Sequence, residues 1–288
     1  MKTLFRFSWF FILTFTLSGC LTTSGGGLAG GIGTAVTAVT EISKAARPIS
    51  DEEEYYIGRA VAARILSTYK LVNNAVLVDY INLVGLSIAL HSEKPNTYGG
   101  YHFAILDTME RNAFACPGGM IFITKGMLLT AKNEDELAAI LAHEIAHINN
   151  RDGISAISSA RWTEALTIIG TNIAKQYGSP EFSRLVSIFE GTIDDVFKSI
   201  VVNGYSRQQE FAADLKAIEY LKKAGYNPSA MSDLISSLNT SASGGIMSTH
   251  PQSSDRLERL MSQTKTVSIN MDALKKRTDR FKAVIKKI

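Results

Sequence analysis

The 288-residue chain lacks the features that would mark it as several common protein classes. It has only two cysteines, too few for the disulfide framework of a small secreted domain. Past the N-terminus no apolar run is long enough to cross a bilayer as a helix. No internal repeat interrupts the sequence, which excludes a solenoid. Neither sign of charge dominates: 30 basic residues face 27 acidic ones, so nucleic acid is not an expected partner. What is present is ordinary globular composition, 45% hydrophobic and 20% charged, in a chain long enough to bury one substantial core.

The first twenty residues have their own logic. Lys2 and Arg6 form a basic start, and residues 7–17 (FSWFFILTFTL) form an apolar stretch of signal-peptide length. It runs into Leu17-Ser18-Gly19-Cys20, which resembles a bacterial lipobox. The expectation is a signal peptide over 1–19 and acylation of Cys20, with two or three chains making a durable membrane anchor. Leu21 after the cysteine, by resemblance to sorting in diderm bacteria, favours the periplasmic face of the outer membrane. With Cys20 acylated, Cys116 has no partner for a disulfide. Residues 20–49, rich in Gly, Ser, Thr and Ala, read as a flexible tether, with a small-residue helix as the alternative over 34–46.

The folded body is expected over 50–265. Ser50 and Glu53 form a capping-box pattern ahead of Ile57, Val61 and Ile65 on one helical face. A second helix is predicted over 76–91, then β-like residues 101–106 and 120–124 around the turn-rich stretch 112–119. This predicts a small antiparallel sheet. Helices resume at Asn133, whose cap pattern includes Glu136, and another spans 206–224 before Gly225 and Pro228. The basic, amphipathic segment 266–288 reads as a solvated helix or tail.

The chemistry concentrates in His143-Glu144-Ile145-Ala146-His147. Residues four apart on a helix share a face, so His143 and His147 can offer two imidazole nitrogens to one ion. Glu144, beside the first ligand, is placed to take a proton from an activated water and pass it to a leaving amine. Catalytic zinc usually has three protein ligands, and Glu210 in Ser206-Arg207-Gln208-Gln209-Glu210-Phe211-Ala212-Ala213-Asp214 is the best third. Asp214, one turn further, can fix the tautomer of a ligand histidine.

In this order, HEIAH, SRQQEFAAD, the upstream NAFACPGG and the late THPQSSDR make the chain resemble the M48 family of zinc peptidases over residues 50–263. The likeness is to its exported outer-membrane lipoprotein type, without a tetratricopeptide domain. It implies one Zn2+ held by His143, His147 and Glu210, with Glu144 as general base and Asp214 supporting a ligand. It also implies that Asn112 and Ala113 belong to an edge strand that holds substrate backbone as an added strand. His250, after Gly244-Gly245, is either a latch that fills the open zinc position or an oxyanion stabiliser. Arg256 either pairs with carboxylates near the site or binds substrate. Cys116 reads as a buried strand-end residue.

The expected fold is α+β: a predominantly helical, zincin-like peptidase with a small sheet beside the HExxH helix. The expected function is zinc-dependent endopeptidase action, through a metal-activated water, on unfolded or misfolded proteins. The setting is quality control of envelope proteins, with the outer-membrane assembly machinery as a partner. The alternative is a zinc-containing, chaperone-like assembly or binding factor with latent proteolysis.

Overall fold

The computed structural model describes residues 47–170, 179–239, 249–250, 254–264 and 270–287. The signal segment, Cys20, the tether as far as residue 46 and Gly244-Gly245 lie outside the described residues; at the end of the expected tether, Ile49 is buried in a core rather than flexible.

Ser50 opens helix α1 (Asp51–Thr68) with a complete capping box: Glu53 N donates to its hydroxyl, and its own N donates to the Glu53 carboxylate. Arg47 clamps the same carboxylate, and that bond, with the cap, draws the Glu53 pKa down to about 2. α1 buries Ile57, Val61 and Ile65. Gly58 on this face allows close approach to the turn Pro117–Gly119, since a Cβ there would lie 1.8 Å from the Pro117 carbonyl oxygen. Helix α2 (Ala75–Ala89), capped by Asn74, buries Leu77, Ile81, Val84 and Ile88.

Strands β1 (His102–Leu106), β2 (Ala113–Cys116) and β3 (Met120–Thr124) form a sheet in the order β1-β3-β2. The sheet is mixed, not antiparallel throughout. β2 and β3 run antiparallel with Phe114 opposite Phe122, whereas β1 and β3 run parallel with Phe103 opposite Ile121. The difference arises in 112–119, which the sequence presents as a connection. Half of it is a strand that takes the antiparallel place beside β3 and leaves β1 the parallel one.

Alternate strand residues face opposite ways. Phe103, Ile105, Ala113, Ala115, Ile121 and Ile123 join α2 and helix α3 (Glu134–Asn150) in the larger core. Phe114, Cys116 and Phe122 join α1 in a second core on the other face. The arrangement is α+β, with the HExxH helix lying against the sheet.

Helices α4 (Ser159–Gly170) and α5 (Pro180–Phe197) pack together, and α5 also packs on α1. A π-helical turn, Lys198–Asn203, leads to α6 (Arg207–Lys223), which lies along α3. Helices α7 (Ala230–Asn239), α8 (Ser254–Thr264) and α9 (Met271–Ile285) complete the body. α9 is a helix, one of the two forms expected of this segment, but it is not solvated on every face. Phe281 enters the core, while Arg277 and Arg280 pair with the buried carboxylates of Asp135 and Glu134 at the start of α3. The high density of lysine and arginine hid an inner face whose anchors are themselves charged.

Candidate metal centre

Asn133 caps α3 by accepting from Glu136 N, and the Glu136 carboxylate reaches Lys132 N, one residue before the reciprocal capping-box position. Every residue from Glu134 to Ile148 is buried, so both histidines of the motif face the interior. His143 Nε2 and His147 Nε2 lie 3.0 Å apart. α6 brings Glu210 to the same point, with its carboxylate 3.4 Å from His143 Nε2 and 3.5 Å from His147 Nε2. His250 supplies a fourth donor: its Nδ1 is 3.2 Å from His143 Nε2 and 2.9 Å from Glu210 Oε1.

These four donor atoms all lie within 4.8 Å of one another. Tetrahedral zinc with nitrogen ligands at about 2.0–2.1 Å would set neighbouring donors roughly 3.3 Å apart. The donor set therefore fits such an ion in both type and spacing.

Carboxylates behind the site orient the rings. His147 Nδ1 meets Asp152 Oδ2 at 2.7 Å, and His143 Nδ1 lies 3.1 Å from Asp214 Oδ1. Each carboxylate thereby favours the tautomer whose Nε2 lone pair faces the centre. Arg256, almost fully buried, donates from Nη2 to Asp214 Oδ1 at 2.8 Å and pairs through Nη1 with Glu210 Oε2 at 2.8 Å. Of the two roles expected for Arg256, the geometry favours pairing with the carboxylates.

Charge and burial pull against each other here. Burial opposes a charge on His143, yet the adjacent Asp214 and Glu210 overcome it and raise the imidazole to about 9. Burial likewise disfavours the charged forms of Glu210 and Asp214. Nearby His250 and His143 nevertheless hold Glu210 well below the usual carboxylate range, and Arg256 lowers Asp214. Without an ion, the carboxylates draw protons onto the imidazoles; a divalent cation would take the place of those protons.

Glu144 is the exception to this web of contacts. It is 1% exposed, and neither carboxylate oxygen has a hydrogen-bond partner among the described residues. Its closest basic neighbour is His250 Nε2, 3.7 Å from Oε1. A buried carboxylate left bare is costly to fold, so it marks a place where a further group is meant to sit.

β2 lies at the edge of the sheet, with Asn112 just before it. All four β2 residues are buried, and the edge is engaged within the chain: Asn112 Oδ1 accepts from Ala113 N at 2.9 Å and from Thr249 Oγ1 at 3.0 Å. Thr249 O also accepts from Tyr205 N, and Gly204 (φ +72°) permits this approach, since a Cβ there would meet Thr249 O at 2.3 Å. Cys116 is fully buried, and burial pushes its thiol pKa far up.

Two residues at the site have no motif to announce them. Asp152 follows His147 by five positions but reads as part of a helix-ending Asn-Asn-Arg-Asp stretch. Tyr205 stacks on His147, with ring centroids 4.1 Å apart, but in sequence is only the residue before a cap. Thr249 opens the THPQSSDR segment, but nothing in that segment marks it as a partner of Asn112.

The model of peptidase family M48 matches residues 79–264. The chain belongs to peptidase family M48. Within M48, it is 27% identical over 222 residues to the beta-barrel assembly-enhancing protease of Escherichia coli (strain K12), covering 75% of this chain and 44% of that protein. A protease HtpX homolog of Salinibacter ruber is 27% identical over 186 residues, 54% of this chain and 65% of its own. The mitochondrial metalloendopeptidase OMA1 of Schizosaccharomyces pombe is 30% identical over 156 residues, 52% and 42%. The chain thus spans less than half the length of the first of these M48 relatives. No described helix is long and apolar enough to cross a membrane.

Proposed function

We propose that this chain is a zinc-dependent endopeptidase. The observation that carries the reading is the bare carboxylate of Glu144 beside four convergent metal donors. His143, His147 and Glu210 would hold the ion, with Asp214 and Asp152 fixing the two rings. When bound, zinc supplies Lewis acidity that polarises a carbonyl and brings the pKa of a water near neutrality.

The chain's own groups do the rest. Glu144 accepts the proton of the attacking water, and its buried carboxyl then delivers it to the leaving amine. Its lack of competing hydrogen bonds keeps both oxygens available for this exchange. Arg256 balances the negative charge of Glu210 and Asp214, leaving Glu144 as the free base. His250 fills the position that a substrate carbonyl or water would need, which favours a latch over an oxyanion stabiliser. The edge of β2, once Asn112 and Thr249 move aside, offers backbone for an unfolded substrate to pair with.

We further infer a broader setting from the sequence: removal of residues 1–19, acylation of Cys20, a tether over 20–49 and a peptidase body from residue 50. It places the enzyme at the periplasmic face of the outer membrane, acting on misfolded envelope proteins alongside the outer-membrane assembly machinery. The name of the Escherichia coli relative supports this context.

Degradation of unfolded casein by the chain lacking residues 1–20, beside its Glu144→Gln variant, tests the chemistry. Cleavage by the wild type alone is expected. Cleavage by both would remove Glu144 as the base. Cleavage by neither, even with His250→Ala, would leave the assembly-factor reading. His250→Ala is expected to raise basal proteolysis, and a fall would overturn the latch.

A further inference from the structure

Helices α2 and α9 lie antiparallel on α3. At one end Asn74 Nδ2 donates to Lys287 O at 3.1 Å. In the middle Tyr80 and Arg280 share the Glu134 carboxylate. At the other end Ser87 meets the Tyr226 hydroxyl at 3.5 Å, and Arg277 stands over the Tyr226 ring. Both helices pack on α3 and on each other.

The outward face of α2 and its C-cap is apolar: Val76, Leu83, Leu86 and Leu90 are 47%, 65%, 42% and 68% exposed. Leu83, Leu86 and Leu90 follow the three- and four-residue spacing of one helical stripe. Asp79 lies between Val76 and Leu83, so the continuous apolar part is the leucine end. α9 and its C-terminal turn, alongside, expose Lys275, Lys276, Lys282, Lys286 and Lys287. Asp272 and Asp279 oppose them, the latter paired with Lys275. Arg277 and Arg280 are bound by Asp135 and Glu134, so the free positive charge of this helix is lysine.

An exposed leucine ridge beside flexible lysines is the composition of a surface that rests on a membrane, with leucines at the acyl boundary and ammonium groups among phosphates. The leucines are exposed on α2, and a fluid interface needs no shape to match them. We propose that the α2–α9 face docks on an anionic lipid bilayer. This surface is distinct from the metal centre. It rests on the Cys20 anchor reading only for its proximity to lipid.

The test uses the full acylated chain with an environment-sensitive fluorophore on Leu86→Cys. The control label is Val186→Cys on α5, which packs on α1 on the opposite side of the sheet; Cys116 is buried and stays unlabelled. Vesicles are phosphatidylcholine, alone or mixed with phosphatidylglycerol. A blue shift is expected for the Leu86 label, only with phosphatidylglycerol, and Lys282→Ala or Lys286→Ala should each weaken that response about fivefold. No shift at Leu86 overturns the proposal, as does an equal shift at Val186, which would mean general adsorption. A shift without vesicles overturns it in favour of a second copy of the chain. Flotation with pure phosphatidylcholine reads the Cys20 anchor separately: its failure removes the anchor and leaves the anionic shift expected.

Discussion

The start of α3 and the stretch leading towards its end bury carboxylates in opposite ways. At its start, Glu134 receives Tyr80, Tyr226 and Arg280, and Asp135 receives Asn227 N and Arg277. Ten residues after Glu134, Glu144 is as deeply buried and has no hydrogen bond among the described residues. Desolvation is similar in both places, so only the first arrangement is explained by folding. The comparison separates a carboxylate that holds the helix in place from one that the helix holds in readiness.

The largest expected effect breaks the second half of this contrast. Glu144→Gln should lower casein cleavage by about a hundredfold to ten-thousandfold while leaving the thermal midpoint unchanged or higher, since a bare buried charge is removed. A lower midpoint with the same loss of activity would mean that Glu144 is a structural group. Next in size, Glu134→Ala should cost about 3 kcal/mol of stability in urea unfolding, because it strands two tyrosine hydroxyls and one arginine. Its activity per folded molecule should hold; a parallel loss would join the two places into one unit.

Asp152→Asn tests the support behind the site and should weaken zinc affinity about tenfold to a hundredfold, measured by competition with a chelator. Smallest is the cap of α1. Glu53→Gln should cost about 1 kcal/mol. The sign with pH follows from its lowered pKa: the contribution is present above the unfolded value of about 4.3 and is lost as pH falls towards about 2. The variant should therefore converge with the wild type in acid.

The sequence made legible what repeats at fixed spacing. His143 and His147 stand one helical turn apart, as do Glu210 and Asp214, and the capping box at Ser50 is local. These needed no knowledge of the tertiary fold. Asp152 and Tyr205, and the bond of Thr249 to Asn112, are hidden because they depend on chain reversal and on contacts between elements distant in sequence. The parallel place of β1 was hidden for the same reason, since strand pairing leaves no local trace. The inner face of α9 was obscured by composition: its anchoring arginines look like the solvated lysines beside them.

Arg151 is the one non-glycine residue with positive φ among the described residues, at φ 58° directly after α3. Its left-handed turn folds the chain back so that Asp152 reaches His147, while its guanidinium contacts Glu54 and donates to Ile49 O. Helix ends are normally where amide exchange begins, because the last turn frays. Here that turn carries His147, a proposed metal ligand, and is stapled from three directions. Amides near residue 150 should thus exchange on the slow timescale of the core, and the histidine pair should keep its geometry through the fluctuations that loosen other helix ends.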